Sequence, residues 1–294
     1  MFLSGWLLCL VLFPAKAQPP QKIIWANFDF PPLYILKGEL QGQGYTDKLI
    51  DYLESALPTY QHQRVVFPNY LRMEREAANG VPICDAAAFY QPPELREDTP
   101  WLLSAPHTVF FMHSLVVAKH SKYAFAEQES LAELLQQPQL KLGIQAGRPL
   151  GQKLDQLLQA HHKNSAFRGK NGQPVNLIER SAEDFIGLYS MLQRGNIDYL
   201  IDYFPQMAFA TKTLGLAHDS FRMLSLSETA GQYGLAAIRC QQAMQKVIAD
   251  INRLLIRDRP KPFFQTLTKR WGVRNPYPEL ADDIYQNKVL KIMD

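Results

Sequence analysis

The segment that most narrows the choice of fold is residues 84–106, CDAAAFYQPPELREDTPWLLSAP. It begins as a buried strand: Ala86, Ala87, Ala88 and Phe89 form an apolar run with no turn residue inside. Pro92-Pro93 ends the strand, because proline has no N–H to give a ladder. The charged stretch that follows carries a single arginine, Arg96, before apolar residues resume at Trp101-Leu102-Leu103 and Ser104-Ala105-Pro106 closes the unit. In an open α/β sheet, ligands bind in the crevice outside the carboxyl ends of the strands. A lone arginine just past such an end places a cation there, and its planar fork matches a carboxylate better than lysine would. On spacing alone, Arg96 reads as well as a solvated loop residue.

The flanking sequence repeats the strand-then-helix pattern. Residues 23–25 are strand formers, broken by Asn27-Phe28-Asp29-Phe30-Pro31-Pro32, with Tyr34 beyond. Gly38, Gly42 and Gly44 make a return. Leu49, Ile50, Leu53, Ala56 and Leu57 follow at helical spacing, with Thr46 or Asp47 as N-cap. Residues 65–67 are a second strand, and residues 71–78 a helix ended by Asn79-Gly80. Arg72 and Arg75 of that helix face solvent or a cleft; the solvated face is the favoured reading, with Arg72 a weak site candidate. A second unit starts after Pro106. It has a strand at 114–119, a capping box at Ser130-Leu131-Ala132-Glu133, and a strand at 141–146 leading into Gly147-Arg148-Pro149-Leu150-Gly151. A strand, a glycine turn and a helix N-terminus make an anion seat. Residues 161–175 are polar and read as a loop. His161-His162 is not read as a metal site, because adjacent helical residues point different ways. Residues 197–201 form a strand with Asp202 and Tyr203 at its end; Asp202 reads equally as the N-cap of the helix over 203–210.

Taken in order, these motifs resemble the bacterial periplasmic solute-binding proteins of family 3, the polar amino acid binders. The match is carried by Asp85, Glu94, Arg96, Ser104 and Pro106, by Gly44-Tyr45 before the first helix, by Gly195-Asn196-Ile197-Asp198, and by the stripe Phe263, Phe264, Leu267 and Trp271 in the closing helix. The resemblance spans nearly all of residues 22–274. It implies an α/β, two-lobed, type II periplasmic-binding-protein fold, with a mixed five-stranded sheet in each lobe and two hinge crossovers. Lobe one would comprise residues 18–110 and 228–294, and lobe two residues 111–227. The family's ligand contacts would then fall on Asp29, Phe30, Tyr34, Tyr90, Arg96, Gly147, Arg148, Asp202 and Tyr203. Arg96 and the glycine turn would hold a carboxylate, Asp202 or Asp29 an amine, and Phe30 or Tyr90 the ligand body. The spacings at Arg96 and Asp202 each differ by one residue from the amino acid binders, so ligand identity does not transfer. In this fold, the strand over 232–240 runs antiparallel beside the third strand, which implies a disulfide between Cys84 and Cys240; two buried thiols are the alternative. The resemblance assigns nothing to the tail after Pro276.

Residues 1–17 have the apolar core of a secretory signal and end in Ala15-Lys16-Ala17, a small-x-small cleavage form. Cleavage near Ala17 would leave 277 residues (294 − 17), enough for two cores, in the oxidising periplasm. The whole chain has 31 Lys and Arg against 28 Asp and Glu, a formal charge of +3, and loss of Lys16 lowers it to +2. With no basic stripe interleaved with aromatics, it has no nucleic-acid footprint. The expectation is a monomer that uses no cofactor or metal. It would bind a small polar, amino-acid-like, carboxylate-bearing ligand for an ABC transporter in the inner membrane, with a membrane sensor as the alternative partner. Periplasmic cyclohexadienyl dehydratase resembles the same family, so an enzyme is a further alternative, with Glu94, Asp29 and Asp202 as the available carboxylates. No acid–base pair or Ser-His-Asp arrangement can be argued from spacing, and the chain is read as a binding protein with no catalytic residue.

Overall fold

The computed structural model describes residues 21–96, 100–146, 148–181, 185–272 and 277–293. The signal-like segment and Gly147 lie outside them. In chain order the elements are β1 (Lys22–Asn27), α1 (Tyr45–Ala56), β2 (Gln61–Val66), α2 (Tyr70–Ala78), β3 (Ile83–Phe89), β4 (Trp101–Leu103) and β5 (Thr108–Phe111). A second group follows: β6 (Ser114–Ala118), β7 (Gln128–Glu129), α3 (Leu131–Leu134), β8 (Leu142–Gln145), α4 (Gln152–Asn164), β9 (Leu177–Arg180), α5 (Phe185–Gln193), β10 (Tyr199–Asp202), α6 (Phe204–Thr213) and β11 (Phe221–Leu226). The chain then returns with β12 (Tyr233–Gln241), α7 (Gln245–Asp258), α8 (Pro262–Gly272) and α9 (Pro278–Asn287).

Two mixed sheets result. The first has the order β2-β1-β3-β12-β4, with β5 also paired to β12; the second has the order β7-β11-β6-β10-β8-β9. Among the described residues each has six strands, against the five the resemblance implies. In the first, nine-residue β12 is long enough to carry β4 and β5 one after the other along its length. In the second, two-residue β7 extends the edge by pairing with β11.

Each sheet is covered on both faces. Leu115 and Val117 of β6, with Tyr199 and Ile201 of β10, pack into one cluster; Val116 and Leu200 between them pack into another. That is the period of two expected of strands buried on both sides. In lobe one, Leu49, Ile50 and Leu53 of α1 and Val247, Ile251 and Leu255 of α7 are buried against β1 and β3. Gly44 is required where α1 begins: a Cβ there would lie 2.3 Å from the Leu33 carbonyl oxygen. The N-cap is Gly44 itself rather than Thr46 or Asp47. Asp47 instead accepts from Gly44 N–H at 3.0 Å and Ile35 N–H at 2.9 Å, fixing the loop that carries Phe30.

Three other local expectations give way to tertiary partners. The capping box at Ser130 does not close on itself; Glu228, from the return crossover, accepts from Ser130 Oγ and from the N–H groups of Leu131 and Ala132. The polar loop expected from 161 begins later, since α4 runs through Asn164 and buries His161 against Asn176 at 2.9 Å. Asp202 is the last residue of β10, and Tyr203 is the N-cap of α6.

Cys84 and Cys240 are paired across β3 and β12 and joined by a disulfide. The chain crosses between the sheets twice, at Met112-His113 and over 227–232. The crossovers hold each other: Met112 N–H donates to the Gln232 carbonyl and Thr229 Oγ1 to the His113 carbonyl. The tail also finds its place. Ile284, Tyr285 and Val289 pack with Val109, Phe111 and Leu235 of the strands that lead into and out of the crossovers. Beneath them, buried Arg259 donates to the carbonyls of Pro106, Val289 and Ile292.

Candidate ligand-binding site

Strand β10 lies between β6 and β8 in the middle of the second sheet, and its carboxyl end delivers Asp202 to the seam between the lobes. β8 runs parallel beside it and leads to Arg148. The two meet: Arg148 Nη2 donates to Asp202 Oδ1 at 2.6 Å, and Arg148 Nη1 to Gln145 Oε1 at 3.1 Å. Asp202 also accepts from Tyr203 N–H at 2.8 Å and from the Tyr189 hydroxyl at 2.8 Å. The side chains are 13% and 3% exposed. Burial alone would lower the Arg148 pKa, but the adjacent Asp202 carboxylate raises it above the ordinary arginine value.

Aromatic rings enclose this pair. The Arg148 guanidinium lies 5.0 Å from the ring centre of Phe30, a lobe-one residue, and 5.8 Å from that of Tyr203. Both distances are within cation–π range. Tyr203 in turn lies 3.9 Å from the His113 ring in the first crossover and 6.3 Å from Phe110. Phe110 rests flat on β12 at Gly234, where a Cβ would approach its Cζ to 2.3 Å, and it meets Phe89 edge-on at 4.9 Å. Burial pushes the Tyr203 hydroxyl up to about 12, so it remains a neutral donor and acceptor near pH 7. Burial, and then the positive charge of Arg148, push His113 down to about 3.

The lobes are closed on one another. Phe209 of α6 meets Trp271 of α8 at 5.6 Å, and Ile35 and Leu40 of lobe one pack into the lobe-two cluster around Met207 and Phe209. A cavity of about 30 Å³, room for about one water, lies against Arg148, Asp202, Tyr189 and Gly143.

The other sequence candidates lie apart from this group. Tyr34 is fully buried in the lobe-one core, donating to Asp85 at 3.2 Å, which makes it a core residue rather than a cleft lining. Asp29 pairs with Lys37 at 3.3 Å near the surface. Arg96 donates to the Gln91 carbonyl at 2.9 Å and lies 5.8 Å from the Tyr90 ring. Tyr90 lies just past β3, its N–H donating to the Leu235 carbonyl at 2.7 Å. Arg72 is exposed and paired with Glu76 at 2.7 Å. Among the described residues the structure thus brings together Phe30, Arg148, Asp202 and Tyr203, while Asp29, Tyr34, Arg96 and Arg72 have other partners.

Sequence reading missed His113 and the Asp85–Arg239 pair. Arg239 donates to Asp85 at 3.0 Å and to Glu74 at 2.8 Å, and stacks 4.4 Å from the Trp101 ring. No local motif marks either one; both depend on strand neighbours far apart in sequence.

No protein-family model matches the sequence, and no curated protein does. Solved structures do match in fold. A histidine kinase sensor domain with similarity to periplasmic binding proteins is similar over 85% of this chain and 95% of its own, at TM-score 0.59 and 12% identity. A probable amino-acid ABC transporter extracellular-binding protein from Bacillus subtilis is similar over 85% and 98%, at TM-score 0.58 and 16% identity. An ancestral amino acid-binding protein, a precursor of cyclohexadienyl dehydratase, covers 86% and 95%, at TM-score 0.55 and 14% identity. The chain therefore has the two-lobed fold of family 3 type solute-binding proteins.

Proposed function

We propose that this protein binds a small polar solute between its two lobes, outside the cytoplasm, and presents the closed complex to a membrane permease of the ABC type. The lobes are read as residues 18–110 with 228–294, and residues 111–227. The observation that carries the reading is the stack of lobe-two Arg148 on lobe-one Phe30 at 5.0 Å, beside Asp202 and Tyr203. A charged pair and aromatic faces from both lobes then meet only when the lobes close, so a ligand bridging them shifts the population toward the closed form. The cavity against the pair is lined by lobe-two residues and is too small for a solute, so the solute is placed between the lobes rather than in it. The amino-acid-like ligand expected from sequence would have to take Arg148 and Asp202 from each other.

The likeness to a kinase sensor domain favours a second reading, in which a membrane receptor reads the closed form. Binding is proposed in place of catalysis; incubation with prephenate or arogenate, followed by ultraviolet absorbance of the aromatic product, tests the enzyme alternative.

The direct test is a thermal-shift screen with amino acids, dicarboxylates, polyamines, sugars and nucleosides. A ligand at about 100 times its dissociation constant stabilises the native state by about 2.7 kcal/mol. A saturable shift that is weakened in Arg148→Ala is the expected result. A well-folded protein that responds to no compound would sink the reading.

A further inference from the structure

The neutral groups and the carboxylates near the seam are in opposite conditions. His113 is 3% exposed, and its Nε2 is buried with no hydrogen-bond partner among the described residues. Gln206, in the first turn of α6, is fully buried, and both its Oε1 and its Nε2 lack a partner there. Residues three apart share a helix face. Gln206 therefore shares a face with Tyr203, which meets Arg148 and Phe110, and with Phe209, which meets Trp271 of lobe one. Phe209 also meets Phe185 of α5 at 6.4 Å, so that face borders both the seam and the lobe-two core. On the lobe-one side, Asn27 Oδ1 at the carboxyl end of β1 and Thr46 Oγ1 in the first turn of α1 are bare as well. Tyr199, Arg96 and Arg259 also have a bare atom, but Tyr199 sits in the lobe-two core, Arg96 beside Gln91 and Tyr90, and Arg259 beneath the tail.

The carboxylates are already engaged. Asp202 accepts three hydrogen bonds, from Arg148, Tyr189 and Tyr203. Asp85 accepts from Tyr34, Ala87 and Arg239, and Asp29 is held by Lys37. A zwitterionic amino acid needs a carboxylate for its ammonium, and each of these already has a partner. Native folds pair more than nine in ten of their buried polar groups. Bare groups collected along a seam that opens are groups a ligand can pair.

We infer that the ligand held between the lobes is uncharged and bears both hydrogen-bond donors and acceptors, as hydroxyl or carboxamide groups do, with Gln206 and His113 bonding to it. This rests on the cleft being a binding site. The Gln206 amide offers one donor and one acceptor group. Neutral His113 adds a donor or an acceptor without charge. Phe30 and Tyr203 offer flat faces for the ligand body.

The test is isothermal titration of the full chain with two panels: the twenty amino acids, and a set of monosaccharides, nucleosides and carboxamides such as nicotinamide. An uncharged compound is expected to bind, with affinity falling at least tenfold in Gln206→Leu and in His113→Phe. Gln206→Leu removes a buried unpaired amide, so the ligand-free variant should melt about 2 °C higher, not lower. Binding of an amino acid that Gln206→Leu leaves unchanged and Arg96→Ala abolishes would overturn the ligand class while leaving the cleft reading intact. An uncharged ligand indifferent to both substitutions would overturn the two assignments. Silence in both panels from a folded protein would overturn the cleft reading as well.

Discussion

Each lobe carries the same small constellation, put to a different use. In lobe one, Asp85 accepts from a tyrosine hydroxyl (Tyr34), a backbone N–H (Ala87) and an arginine (Arg239). In lobe two, Asp202 accepts from a tyrosine hydroxyl (Tyr189), a backbone N–H (Tyr203) and an arginine (Arg148). The difference lies in the arginine. Arg239 stands opposite Asp85 in the β3–β12 register, one step from the Cys84–Cys240 pair, and Glu74 and Trp101 hold its outer side. Arg148 comes from the segment after β8 and rests on a ring of the other lobe. A buried aspartate–arginine pair is thus not itself a sign of a site. A pair whose partners all belong to one sheet and its helix is structure; a pair that leans on the opposite lobe changes its surroundings when the lobes part.

The largest effect should come from the disulfide that fixes the lobe-one register. It closes a sequence separation of 156 residues. The chain-entropy model assigns such a loop about 5 kcal/mol. Urea unfolding of a Cys84→Ala/Cys240→Ala variant should show most of that loss, and a loss under about 1 kcal/mol would mean that Asp85–Arg239 holds the register unaided.

Next, Asp85→Asn should cost about 3–5 kcal/mol, the usual result of leaving a buried charge without its partner. Asp202→Asn should cost less, because Arg148 can turn to water once the lobes separate. Equal losses in the two variants would remove the distinction drawn between the pairs.

Histidines probe the same contrast through pH. His107, in lobe one, is fully buried between the Tyr45 hydroxyl at 2.7 Å and the Ala86 carbonyl at 3.1 Å, with Arg259 nearby, and burial pushes it down to about 4. His113 faces Tyr203 and Arg148 and is pushed down to about 3, again chiefly by burial. An unfolded histidine takes up a proton near pH 6.5, whereas these stay neutral in the fold, so the unfolded state binds more protons. Their contribution is fully present above pH 6.5 and is lost as pH falls toward 4 and 3. Each histidine should remove up to about 1.4 kcal/mol per pH unit over that window. In His113→Phe the slope should fall by about half; an unchanged slope would place the acid sensitivity elsewhere.

The smallest effect belongs to the exposed pair Arg72–Glu76. Arg72→Ala should change stability by less than about 0.5 kcal/mol and leave ligand affinity as it was. A clear loss of binding would return Arg72 to the site.

Much of the architecture was legible because it rests on local chemistry. Apolar runs ended by Pro92-Pro93, the leucine spacing of α1, and the stripe at Val247, Ile251 and Leu255 each mark an element that could bury only one way. The Cys84–Cys240 pairing followed once the resemblance put β12 antiparallel to β3. Within the proposed site, Phe30 was placed by the resemblance, and Arg148, Asp202 and Tyr203 by the resemblance together with their positions past strand ends. Arg96 was placed by the same logic, yet among the described residues it meets Gln91 and Tyr90. A loop after a strand has more than one direction open to it, and spacing does not choose among them.

What the sequence determined by itself, then, is much of the order of strands and helices, though not β5, β7, β9, β11 or α9, since periodicity and turn residues act over a few positions and need no distant partner. What only the tertiary structure decided is which groups are already satisfied. That Asp202 is taken by Arg148 and Tyr189, that Glu228 caps α3 across 97 residues, and that Gln206 is buried bare depend on contacts between segments far apart in the chain. The free energy of a polar group is set by its partners and its burial, and both are properties of the assembled fold.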